Sequence, residues 1–170
     1  FLKPLHTYIN DECSRGSLRY VQEKFAKVSM RNCLSNLYTK FRSAKEEGPR
    51  MIIGSLTSEE ESIDTLMHII VAQNIGWDVT YVGHSVPHDE MTYMANRIKA
   101  STIVVALNNP SDVARKTYEI KTMKELADLK DNIVLIGSQA NTYRQIADDV
   151  NAVVSQDLSS FRLTLERLYG

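Results

Sequence analysis

Two stretches of this chain hold residue types that could do chemistry. One is LTSEEESIDTLM, with Glu59, Glu60 and Glu61 in a row, and the other is GHSVPHDE, where His84 and His88 run into Asp89 and Glu90. The first could be a binding site or a helix cap; the second could be a metal site, since histidines four apart with neighbouring carboxylates resemble a zinc-ligand set. Pro87 weakens the metal reading, because it makes the histidine pair straddle a helix start instead of sharing one helical face. Asp89 and Glu90 suit the positive end of a helix dipole without any metal. Ser58 and Glu61 match the S-x-x-E capping box ahead of an apolar stripe formed by Ile63, Leu66, Met67, Ile70 and Val71. The serine would accept from the Glu61 amide while the Glu61 carboxylate reaches back, a local arrangement worth about 1 kcal/mol.

The cysteines are two, Cys13 and Cys33, with neither metal-ligand spacing nor the density of a disulfide scaffold. Either could ligate haem iron, but the simpler expectation is two free thiols, buried as small apolar residues, in a reducing cytoplasm. The four histidines are dispersed and no Ser/His/Asp set falls in one loop group, so the chain is expected not to be an enzyme. Neither G-x-G-x-x-G nor a P-loop is present, which argues against nucleotide binding by a standard route.

The 170 residues are 43% apolar and 24% charged, with a formal net charge of −1. Such a balance provides no basic face for a nucleic-acid backbone, so DNA would be held only through a domain outside this chain. No apolar run approaches the roughly 20 residues of a membrane span. The chain opens on Phe1 inside an apolar pattern, which is expected of a piece of a longer polypeptide.

Spacings of three and four, through Leu2, Leu5 and Ile9, then Leu18, Val21, Phe25 and Val28, then Leu34, Leu37 and Phe41, predict helix from residue 1 to about 42. Gly16 breaks it into two, with Ser17 able to cap the second. RSAKEEGPR, residues 42–50, reads as a linker, giving a helical segment over 1–47 and a second unit over 48–170. From Met51 the pattern changes to five short β-rich runs, RMIIGSL, WDVTYVG, STIVVAL, NIVLIG and NAVVS. They alternate with helical stretches near 58–75, 87–100, 111–130, 141–149 and 157–169. The predicted fold is α/β, a flavodoxin-like (Rossmann-like) five-stranded parallel sheet in the order 2-1-3-4-5, preceded by a partial helical bundle. Ligands of such sheets sit beyond the strand carboxyl ends at the switch point between the first and third strands, so TSEEES, NNPSD and GSQANTY are the loops to watch. A response-regulator phosphoacceptor is missing, since IIGSL and VVALNN end the first and third strands. TSEEES would repel the phosphate of a flavin.

RGSLRYVQEKFAKVSMRNCLSNL followed by NIGWDVTYVGHSVPHDEM resembles the cobalamin-binding modules of methionine synthase and of light-sensing MerR-type transcription regulators. The resemblance spans nearly the whole chain and implies a corrinoid held by a D/E-x-H-x-x-G loop, with histidine coordinating cobalt. Counting back from Gly76 and Trp77, Glu61 stands at the histidine position and Asp64 at the glycine position. The family's upper cap, a tryptophan ten residues before a Glu-His pair, falls on Cys13, Glu23 and Lys24. Its tail-lining serine and Gly-Gly pair fall on Ala106 and on Gly137 and Ser138. The expectation is therefore a reused scaffold with no cofactor; a corrinoid or haem with atypical ligation is the alternative. The candidate cleft residues are Cys13, Glu23, Lys24, Glu61, Asp64, Asn108, Asn109, Gly137, Ser138 and Gln139, with a Lys24–Glu61 contact as one way to fill it. The resemblance further implies a cytoplasmic sensor domain in transcription regulation and signal transduction, a homo-oligomer with a protein partner or another ligand.

Overall fold

The computed structural model describes residues 2–42, 48–56, 62–109, 112–127 and 132–169. The helical opening is two helices, α1 (Leu2–Ser14) and α2 (Tyr20–Arg42), divided at the predicted glycine. Ser17 does not cap α2. Its amide donates to the Glu12 carbonyl and closes α1, while Arg19 takes the cap position: its own amide donates to Gln22 Oε1 at 2.9 Å, one half of a capping box.

Five strands follow, β1 (Arg50–Ser55), β2 (Asp78–Tyr81), β3 (Thr102–Ala106), β4 (Asn132–Ile136) and β5 (Val153–Val154). All pair in parallel in the order β2-β1-β3-β4-β5, as the alternation requires. Ile53 lies opposite Tyr81 on one side and Val104 on the other. The period-two alternation of a strand then assigns side chains to faces. Met51, Ile53, Val104, Val134 and Ile136 point to one core, and Ile52, Ile103, Val105, Ile133 and Leu135 point to the other.

The first face is covered by α3 (Ile63–Asn74) and α7 (Leu158–Tyr169), and Ile9, Met30 and Leu34 of the helical opening join the same core. The second is covered by α4 (His88–Ile98), α5 (Val113–Leu126) and α6 (Arg144–Asp149). A single helix over 141–149 is not what forms: Ala140–Tyr143 is a 3₁₀ turn that leads into α6. The predicted box of Ser58 and Glu61 lies outside the described residues; the described part of α3 begins at Ile63, and Ser62 before it makes no side-chain cap bond. Asp89 and Glu90 do occupy the first turn of α4, where their charge complements the exposed amides.

Two contacts fix the sheet's neighbours. A side chain at Gly54 would put its Cβ 2.6 Å from Val82 Cγ2, so the glycine lets the chain leaving β2 run close beside β1. The single tryptophan, Trp77, is 2% exposed and meets the Tyr169 ring edge-on at 6.2 Å, joining the start of β2 to the end of α7. Among the described residues, no helix is long and apolar enough to cross a membrane.

Candidate functional site

At the carboxyl ends of β3 and β4 the chain is stitched to itself. Leu107 donates its amide to the Ile136 carbonyl and Gln139 donates its amide back to the Leu107 carbonyl, at 2.8 and 2.9 Å. Asn108 accepts twice from Ser138, the amide reaching Oδ1 at 3.4 Å and the hydroxyl reaching the carbonyl at 3.3 Å. Gly137 sits in this crossing with φ +106, and a Cβ there would lie 2.6 Å from both Asn108 Oδ1 and the Leu107 carbonyl oxygen. Only glycine tolerates that conformation and that approach together. Beneath, the buried Ser55 hydroxyl at the end of β1 donates to the Ala106 carbonyl at 3.1 Å.

The helical candidates form a separate group. Cys13 on α1 donates its thiol to Glu23 Oε2 at 2.7 Å, and Lys27 donates to the other carboxylate oxygen at 2.5 Å. The Cys13 hydrogen bond, then Lys27, holds the Glu23 carboxyl below the usual carboxylate range; the same bond to Glu23 pushes the Cys13 thiol up. Cys13 is half-buried, but Cys33 is exposed, contrary to the buried apolar role expected of it. Lys24 lies with its ammonium 5.6 Å from the centre of the Tyr20 ring on its own helix. Glu61 lies outside the described residues, and with it the expected Lys24–Glu61 contact.

Asp64 leads to a cluster that the sequence did not reveal, since its histidines are 62 positions apart. His6 Nδ1 on α1 lies 4.0 Å from Asp64 Oδ1, and His68 Nδ1, one helical turn along α3, donates to the Asp64 carbonyl at 2.6 Å. His68 is 5% exposed, packs edge-on against Phe161 of α7, and keeps its Nε2 buried with no hydrogen-bond partner among the described residues. Burial lowers the pKa of both rings, with Asp64 opposing. Two of the four supposedly scattered histidines thus meet one aspartate.

On the opposite face of the sheet, α4 and α5 enclose a cavity of about 440 Å³ at the switch-point end, bordered by Ser85, His88, Asp89, Asn109, Arg115 and Lys116. Lys116 is 4% exposed and donates its ammonium to the Asn109 carbonyl at 2.7 Å, so Asn109 belongs to this wall. Arg115 pairs with Glu119 at 2.9 Å one turn later. His88 faces the Tyr118 ring at 6.3 Å. Among the described residues, no three His, Cys, Asp or Glu side chains converge as a metal site. Lys27 was legible as the residue four after Glu23. Lys116 carried no signal, because only the fold turns it inward.

No protein-family model matches the chain, and no curated protein matches it by sequence. Solved structures do match. The monomethylamine corrinoid protein of Methanosarcina barkeri superposes with a TM-score of 0.73 at 12% identity, over 96% of this chain and 78% of that one. A cobalamin-binding protein from Desulfitobacterium hafniense DCB-2 gives 0.61 at 14% identity, over 97% and 78%. The methanol:cobalamin methyltransferase complex of Methanosarcina barkeri gives 0.61 at 11%, over 96% and 63%. The fold is that of cobalamin-binding proteins. With it in hand, the candidate residues sort by place: Cys13 and Glu23 bond to each other, while Asn108, Gly137, Ser138 and Gln139 share the crossing of β3 and β4.

Proposed function

We propose that this chain is a non-catalytic sensor or regulatory module built on a cobalamin-binding fold whose corrinoid contacts have been replaced. The observation that carries the reading is the stitched crossing of Asn108, Gly137 and Ser138. In the resemblance drawn above, these strand ends line a cofactor tail; here their polar atoms are committed to each other. The other positions agree. Glu61 offers a carboxylate in place of imidazole, a hard donor that suits cobalt poorly. Asp64 adds a charged side chain where a glycine would let the nucleotide tail pass. At the upper cap, where the resemblance implies a tryptophan ahead of a Glu-His pair, only Glu23 agrees; Cys13 and Lys24 replace the other two, and the Glu23 carboxylate accepts from Cys13 and from Lys27. The donor set therefore does not fit a corrinoid.

As a regulator the module belongs to a longer, cytoplasmic, MerR-like protein and contacts DNA only through a domain outside this chain. It responds to a ligand other than cobalamin or to a protein partner. The test is absorption: the purified chain, mixed with hydroxocobalamin and desalted, is expected to retain no corrinoid bands, and Glu61→His alone is expected not to change that. Retention of stoichiometric corrinoid at micromolar protein would overturn the reading.

A second reading is favoured by the fold shared with corrinoid and methyltransferase proteins: a methyl carrier with atypical ligation. It predicts a red preparation, or tight uptake of the added corrinoid.

A further inference from the structure

The inner face of α5 is built of unexpected residues for a helix lying on a sheet. Its buried positions are Lys116, Glu119, Ile120 and Met123, so half of that face carries charge. Lys116 is 4% exposed and Glu119 7%. Burying a charge sacrifices its hydration, and two well-packed apolar residues would hold the same helix without that cost. A third polar group stands beside them. Tyr143, in the 3₁₀ turn packed against α5, is 1% exposed, and its hydroxyl has no hydrogen-bond partner among the described residues. Burial, then the carboxylates of Asp112 and Glu119, push that hydroxyl's pKa up, so it lies within the field of those two residues. A buried donor left in this way costs about 1 to 3 kcal/mol unless something from outside the chain completes it.

Lys116, Glu119 and Asp112 all border the cavity of about 440 Å³ between α4 and α5, a size within the roughly 300 to 1,000 Å³ of small-molecule sites. Its charge is mixed. Among the described residues on its border, Arg115 and Lys116 stand against Asp89, Asp112 and Glu119. The N-termini of α4 and α5 open on the same space, each equivalent to about half a positive charge. α4 starts after Pro87, and no side chain caps it, so its first-turn amides add donors at the border. The site is therefore close to neutral as a whole while holding both signs. A phosphate would meet three carboxylates there, and a polyamine would meet two cations and two helix N-termini.

We propose that this cavity binds a small zwitterion of the α-amino-acid class, its carboxylate received by Lys116 and Tyr143 and its ammonium by Asp89. The inference deepens the sensor reading and rests on it, since it names the class of ligand that is sensed and the place. The cavity lies on the face of the sheet opposite α3, α7 and the helical opening, so occupancy does not require a corrinoid.

Isothermal titration of the whole chain with L-glutamine and with L-serine is expected to show one site, with a dissociation constant of about 10 μM to 1 mM for at least one of them. Acetate and ethylamine, which carry one of the two charges each, and inorganic phosphate are expected to bind at least tenfold more weakly. Lys116→Met is expected to lower the affinity at least tenfold, but it also removes the bond to the Asn109 carbonyl. Tyr143→Phe is the cleaner variant. Its hydroxyl has no partner to lose, so the melting temperature without ligand is expected to hold or rise while the affinity falls at least threefold. No binding of either amino acid at about 10 mM, acetate or phosphate binding as tightly, or a Tyr143→Phe chain that binds like the native one would each overturn the proposal. Those failures in a chain that retains no corrinoid leave the sensor reading standing; stoichiometric corrinoid beside amino-acid binding overturns that reading and keeps the site.

Discussion

Cys13, Glu23 and Lys27 are tied together by side chains alone, whereas at the crossing of Asn108, Gly137 and Ser138 every bond has a backbone group on at least one side, and those of Leu107 with Ile136 and Gln139 are backbone on both. Cys13 and Glu23 in the first set, and Gly137 and Ser138 in the second, stand where the resemblance puts cofactor contacts, yet the two sets differ in what a substitution can do. A side-chain cluster near solvent can lose a member and be rehydrated. A crossing of two strand ends with no room for a Cβ has no such outlet. Where a scaffold has been altered, the first kind of site records easy substitutions and the second records a change in the path of the chain.

The largest way to test this contrast is Gly137→Ala. A side chain there combines a positive φ with a 2.6 Å approach to Asn108 and Leu107, and the expected cost is about 3 kcal/mol in denaturant unfolding. A loss within experimental error would show that the crossing relaxes freely. A smaller effect is expected from acid, through His68. Because burial lowers its folded-state pKa, the ring stays neutral in the fold below its usual 6.5, where the unfolded chain takes up a proton. Stability contributed by the neutral ring is therefore present above pH 6.5 and declines as pH falls below it. Asp64 and Asp157 favour the proton and Lys3 opposes it, while His6 shifts in the same direction as His68. The melting temperature is expected to drop between pH 7 and pH 5 less steeply in His68→Gln than in the native chain; equal slopes would remove His68 from the account.

The smallest effect is expected at Glu23→Gln. The Glu23 carboxyl is depressed by Cys13 and Lys27, so its contribution exists at neutral pH and fades as pH falls through its titration. Its melting temperature is expected to barely move. Thiol reactivity is the sharper readout: with the carboxylate gone, the Cys13 thiol loses the largest cause that pushes it up, burial being the second, and is expected to alkylate faster, while exposed Cys33 keeps its rate. An unchanged Cys13 rate would place the bond to Glu23 outside the chemistry of that thiol.

Much of the architecture could be read from local pattern. Runs such as IVVA and IVLI are buried on both faces of a parallel sheet, and that burial demands the apolar density seen in the sequence. The break at Gly16 and the acidic first turn of α4 were equally plain, because each is decided within a few residues. The partners of the candidate residues were not. Asn108 meets Ser138, and His6 comes to Asp64, only after the fold brings distant segments together. Lys116 looked like any surface lysine of a helix, yet it is turned under the loop after β3 and held by the Asn109 carbonyl. The 3₁₀ turn before α6 was also hidden, since ANTY and RQIADD carry one continuous helical pattern.

The contact of Trp77 with Tyr169 gives the molecule an optical reporter of its own. The indole, the only one in the chain, is buried in the core just before β2 and meets the last turn of α7, with its Nε1 buried and without a hydrogen-bond partner among the described residues. Excitation at the red edge of indole absorption selects this residue over the tyrosines, and its emission reads the core in which it meets α7. Undocking of α7 would expose the indole and shift its emission to longer wavelength, so whether that helix leaves before or with the sheet can be followed without a label.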